Sequence, residues 1–118
     1  KAMNHFSKVL KLLPKDTLSI YKTLLLQGHI LYNTGKKDKL WDAIELYNKA
    51  AIVFETLGEP HYHIGRSYYK ISDKDFDLII ESFDRALELE LSAGLRKVTN
   101  EAREDAMFRE KKFKDFWK

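Results

Sequence analysis

The side chains best suited to hold an ion or carry a proton near neutral pH are the histidines, and this 118-residue chain has 4 of them. His61 and His63 stand two positions apart. On a helix they point about 200° from one another and cannot share one ion. His29 reaches His63 only if two helices lie side by side, and no third ligand is evident beside them. Structural or groove roles are therefore expected for these residues, with no metal, no cofactor and no catalytic group. Asp73, Asp75 and Asp77 alternate, but they lack the glycine and the distal glutamate of a calcium loop. Their expected role is to place negative charge at the start of a helix. No nucleophile elbow, phosphate loop or metalloprotease pair occurs. The absence of cysteine excludes disulfides, thiolate metal sites and thiol catalysis.

Basic and aromatic residues interleave in two places. Lys36, Lys37 and Lys39 form one group; Arg109, Lys111, Lys112, Lys114 and Lys118, with Phe113 and Trp117 between them, form the other. Such a pattern suits a single-stranded nucleic acid. The charge balance opposes it. Residues 1–40 carry a net +6, residues 41–95 a net −6 and residues 96–118 a net +3. A phosphate backbone running along the chain would meet repulsion in the middle, so nucleic-acid binding stands as a second alternative only.

What must position these residues is a helical scaffold. At this length one domain with one core is expected over residues 1–118. Only 5 Gly and 2 Pro are available, too few for the frequent turns of a β sandwich or barrel. The longest aliphatic run, Leu24-Leu25-Leu26, spans no membrane. The chain opens on Lys1 without a signal-peptide pattern, which reads as a piece of a longer protein. Its compartment is not fixed by sequence, and a soluble, cytoplasmic setting is the expectation.

Apolar spacing predicts helices over 2–13, 18–33, 40–56, 60–71 and 76–91. Pro14, Thr34-Gly35 and Gly58 with Pro60 are the stops, Thr17 a cap, and residues 36–39 and 72–75 the polar joints. The stripe Leu87, Leu91, Leu95, Val98, Ala102, Ala106 is compatible with one long helix. A turn at Ser92-Ala93-Gly94 that sends a sixth helix back is the preferred alternative, because a continuous rod would leave its second half with little to pack on. Phe108, Phe113, Phe116 and Trp117 either dock on the core or project beyond it.

The helices repeat in pairs. Gly28 and Gly65 lie 37 apart; Tyr47 and Phe83, like Ala50 and Ala86, lie 36 apart. The segment His61-Tyr62-His63-Ile64-Gly65-Arg66-Ser67-Tyr68 resembles the first-helix signature of the tetratricopeptide repeat, with His61 at the usual Trp, Ile64 at the usual Leu, and Gly65 and Tyr68 matching. The second-helix pattern of a small or apolar residue and an aromatic four positions on recurs as Ala2 to Phe6, Ala43 to Tyr47 and Ile79 to Phe83. Pro14 falls at the closing proline. The resemblance covers about residues 2–91. It departs from the family in lengthened spacings, in Gln27 at an apolar position and in the missing second proline.

The resemblance implies an all-α fold of stacked antiparallel hairpins, a short right-handed superhelix of about six helices. It divides the chain into a half repeat at 2–14, repeats at 18–56 and 60–91, and a capping helix at 94–118. It also implies a non-enzymatic protein–protein adaptor or scaffold, binding a partner's peptide or helix in a concave groove. The groove residues would be Lys22, Leu25, His29, Tyr32 and Asn33 from one first helix. The next would supply Tyr62, His63, Arg66, Tyr69 and Lys70. Chaperone-binding members of the family grip a peptide carboxylate with Lys and Asn; Leu25 and His29 stand at those places here, so that specificity is not expected. Self-association is the first alternative, because a chain starting inside a repeat would leave Phe6, Val9 and Leu10 uncovered.

Overall fold

A computed structural model describes residues 2–117, with side chains from His5 onward. Lys1, Lys118 and the side chain of Ala2 lie outside the described residues. The architecture is all-α, in the order α1 (Ala2–Lys11), α2 (Lys15–Asn33), α3 (Lys37–Val53), α4 (Glu59–Ile71), α5 (Phe76–Glu88) and α6 (Ala93–Phe116). No helix among the described residues is long and apolar enough to cross a membrane.

The breaks have local causes. Pro14, extended at φ −58° and ψ 131°, separates α1 from α2, and the second helix starts at once at Lys15, two residues before the expected cap Thr17. At the end of α2, Thr34 Oγ1 donates to the Leu31 carbonyl at 2.8 Å, and Gly35 turns the chain at φ +73°. That left-handed value is open to glycine at little cost. The charged segment 36–39 is not the expected loop. From Lys37 it forms the first turn of α3, where Asp38 meets the positive end of the helix. At the other end α3 stops at Val53, not at 56.

Aromatic pairs fix the direction of each helix against the next. Tyr21 meets Phe54, Trp41 meets Tyr68, and Phe76 meets Phe113, with ring centroids 5.5, 6.0 and 5.8 Å apart. Early residues of one helix thus face late residues of the next, so α2/α3, α3/α4 and α5/α6 are antiparallel. Close approach depends on small residues. A methyl group built on Gly28 would lie 2.5 Å from Cε1 of Tyr47; on Gly65 it would lie 2.7 Å from Cε1 of Phe83. Ala43, Ala50 and Ala86 have no exposed surface. Tyr21, Leu25, Ile44, Tyr47, Leu57 and Ile64 fill the core between the first hairpin and α4. Ile79, Phe83 and Ala106 fill that between the second hairpin and α6.

The stripe from Leu87 to Ala106 belongs to two helices. Residues 89–92 are not helical: the Gly58 N–H donates to the Glu90 carbonyl at 2.8 Å and the Glu90 N–H to that of Thr56 at 2.9 Å. Arg96 reaches back with both terminal nitrogens, donating to the carbonyls of Leu87 and Leu89 at 2.9 and 3.0 Å. Ser92 Oγ accepts from the Leu95 N–H at 3.3 Å and caps α6. The return therefore happens before the expected 92–94 turn, and Gly94 lies inside α6.

The first helix corrects another expectation. Phe6, Val9, Leu10 and Leu13 are half-buried and pack against the first core, so that face is partly covered within the chain. His5 Nε2 lies 2.6 Å from Glu90 Oε1, which ties α1 to the stretch between α5 and α6. Of the tail aromatics, Phe113 docks on Phe76, while Phe108, Phe116 and Trp117 remain exposed.

Candidate functional site

The stacking of the hairpins sets α2 beside α4, and the residues named from sequence fall along that junction. The Arg66 guanidinium lies 4.0 Å from the centre of the Tyr32 ring and the Lys70 ammonium 4.4 Å from it. Arg66 also approaches Tyr62 at 5.7 Å, and Arg109 of α6 approaches Tyr69 at 5.6 Å. Cations over ring faces gain from the ring quadrupole and hold a long side chain in place. Tyr32, Arg66, Tyr69, Lys70, Ile71, Ser72 and Asp73 line an open depression.

At the other end of the junction α1 leans over the same surface. Phe6 and Leu10 of α1, with Leu18, Tyr21, Leu25, Leu26, His29, Leu57 and Glu59, line a cleft of about 410 Å³. Lys22 also lines it; Leu25 is buried in its floor, and Asn33, the exposed last residue of α2, lies outside it. Eight of the ten expected groove residues thus line this junction or make a contact in it, whereas Leu25 is a core residue and Asn33 takes no part in it.

Between the two ends lies a polar cluster enclosed by rings. His63 is 6% exposed, stacks on Tyr47 at 5.1 Å and meets the edge of His29 at 4.5 Å. The Arg66 Nε–H donates to His63 Nδ1 at 3.0 Å. That nitrogen must therefore be the unprotonated one, and the Nε2–H of His63 points to Glu59 Oε2, 3.1 Å away. His29 Nδ1 lies 2.7 Å from the Tyr47 hydroxyl. Three helices contribute: α2 gives His29, α3 gives Tyr47, and α4 gives Glu59, His63 and Arg66.

The electrostatics follow from this enclosure. Burial lowers the His63 pKa, only partly opposed by its bond to Glu59. Burial, then the neighbouring His63 and Arg66, lowers that of His29. The hydrogen bond from His63 holds the Glu59 carboxyl below its ordinary range. Burial pushes the Tyr47 hydroxyl up to about 12. At neutral pH the cluster therefore holds two neutral imidazoles, one carboxylate, one phenol and the Arg66 cation.

No family model matches the chain, and no curated protein and no solved structure matches it.

The sequence allows His29 to approach His63 across adjacent helices but gives no third partner; that partner is Glu59, the first residue of α4. A signal was present: Glu59 and His63 are four apart, the spacing that puts two side chains on one helix face. It was obscured because Glu59 and Pro60 read as a helix stop. His61 is half-buried and its pKa is lowered by burial and by Arg85, away from this cluster. Asp75 directly precedes α5 but makes no side-chain capping bond, so the acidic run acts there by charge alone, with Asp77 in the first turn. In the basic tail Arg109 pairs with Asp105 at 2.9 Å and Lys114 with Glu110 at 3.5 Å, while Lys112 sits 4.9 Å over Phe108.

Proposed function

We propose that the chain is a tetratricopeptide-like, non-enzymatic interaction module whose α2–α4 face receives a peptide or helix of a protein partner. The observation that carries this reading is the continuous ring-and-cation surface across that junction, with Tyr32 flanked by Arg66 and Lys70 and followed by Tyr69 and Arg109. Half-exposed tyrosines and arginines supply large contact area at low ordering cost, and they dominate binding hot spots. The repeated Gly–ring contacts, with glycines 37 and rings 36 residues apart, support the repeat reading. The lie of α1 supports the groove reading: a short amphipathic helix already rests its Phe6 and Leu10 on one end of this face.

The test is capture of partners by the intact chain and by a Tyr62→Ala, Arg66→Ala, Tyr69→Ala variant with unchanged helical content. A partner retained equally by both chains rejects the assignment. Binding that barely weakens as salt rises distinguishes this surface from a phosphate-binding one.

Self-association is a second reading, favoured by one specific feature. Leu26 and Ile30, one turn apart on α2, are each 60% exposed. An apolar strip at the outer edge of a helical stack suits a further helix or a second copy. Leu26→Glu with Ile30→Glu should abolish any dimer seen by sedimentation equilibrium.

A further inference from the structure

We propose that His29, Glu59 and His63 form a binding site for a divalent first-row transition metal, zinc above all. Each offers one ligating atom, and the three atoms lie within 4.8 Å of one another. Glu59 Oε2 and His63 Nε2 are already 3.1 Å apart. Two ligands about 2.0–2.1 Å from a tetrahedral ion stand about 3.3 Å apart, so this edge is nearly at its final length. The remaining contraction falls on His29, which belongs to α2 and is half-exposed.

Donor chemistry agrees with the geometry. Two imidazoles and a carboxylate suit borderline ions rather than calcium or magnesium. An outer partner is in place as well: the Tyr47 hydroxyl sits 2.7 Å from His29 Nδ1, which leaves Nε2 of that ring as the ligating nitrogen. The cleft lined by His29 and Glu59 gives an entry path and room for water as a fourth ligand.

One contact has to give way. With a metal on Nε2, the His63 proton moves to Nδ1, and that nitrogen stops accepting from Arg66. Arg66 keeps its place over Tyr32 without this bond. The metal thus competes with Arg66 for His63, and removing the guanidinium should tighten the site.

The test is titration of the intact chain with zinc chloride by calorimetry, and with cobalt chloride by visible absorption. One-to-one saturable binding with Kd below about 10 μM (about −7 kcal/mol) supports the site. Weaker or non-stoichiometric binding overturns it. His63→Gln and His29→Gln should each weaken zinc at least ~10-fold, as expected when a ligand is lost. Arg66→Gln should tighten it, and His61→Gln should leave it unchanged. Equal loss in the His61→Gln and His63→Gln variants overturns the assignment. If the buried His63→Gln variant fails to fold, the half-exposed His29→Gln variant decides the matter in the same way.

Discussion

Gly65 faces the ring of Phe83 so closely that the smallest side chain would stand 2.7 Å from Cε1. The same relationship holds one hairpin earlier between Gly28 and Tyr47, at 2.5 Å. In both hairpins an absent side chain on the first helix admits an aromatic ring from the second. The residual pocket is filled, and the backbones come as near as the ring thickness allows.

Gly28→Ala and Gly65→Ala should therefore destabilise the fold. Alanine gains about 1 kcal/mol of helix propensity, but displacing a ring that has no free space costs more, for a net loss of roughly 1–2 kcal/mol. Gly94→Ala is the control, since nothing lies within 4 Å of a methyl group there. It should be neutral or slightly stabilising. Urea unfolding followed by circular dichroism checks all three, and a Gly65→Ala chain as stable as the parent contradicts the packing argument.

Arg96 should matter more than a surface arginine. Its two charge-assisted bonds serve the carbonyls of Leu87 and Leu89 that end α5. Arg96→Ala should cost about 1–3 kcal/mol, and Arg96→Lys should recover only part, because an ammonium cannot make both bonds in one plane. Hydrogen exchange at residues 86–92 reads the local opening.

Acid should loosen the molecule in a definite window. The pKa of His63 is lowered by burial, and those of His29 and His61 are lowered likewise. The unfolded chain therefore takes up protons first as pH falls below about 6.5, and stability declines from there. Glu59, held low by His63, adds loss of the same sign as pH falls through about 4.5 and below. The urea midpoint should fall between pH 7.5 and 5.5, and His63→Gln should flatten that slope. An unchanged slope in the variant would mean that other groups set the acid response.

The α2–α4 face should tolerate substitution without unfolding. Tyr69 and Lys70 retain solvent-exposed surface, and surface changes of this kind cost within about 0.5 kcal/mol. Tyr69→Ala with Lys70→Ala should leave the thermal midpoint nearly in place while cutting partner binding by ~10-fold or more. A variant that binds as well as the parent moves the contact surface elsewhere.

Periodicity and stop signals carried most of the helical scaffold. Apolar residues at steps of three and four, with Gly35, Gly58 and two prolines between them, limit the backbone to short helices, and the recurrence of Gly and a ring at near-equal spacing pairs them. These are local properties, and they survive any choice of neighbours. The ends of helices were less legible, because Lys37 and Lys39 read as loop by composition although Asp38 and the turn at Gly35 start α3 there.

Tertiary structure alone decided what stands across from what. The sequence cannot show that α1 folds back far enough for His5 to meet Glu90, since 85 residues separate them and only packing closes that distance. Nor can it show that His29, Tyr47, Glu59 and His63 converge. Glu59 and His63 share one face of α4, but His29 belongs to α2 and Tyr47 to α3; the cluster exists because Gly28 lets α3 approach α2 and because α4 follows α3 antiparallel. Burial then sets the protonation of these groups, and burial is a property of the assembled chain.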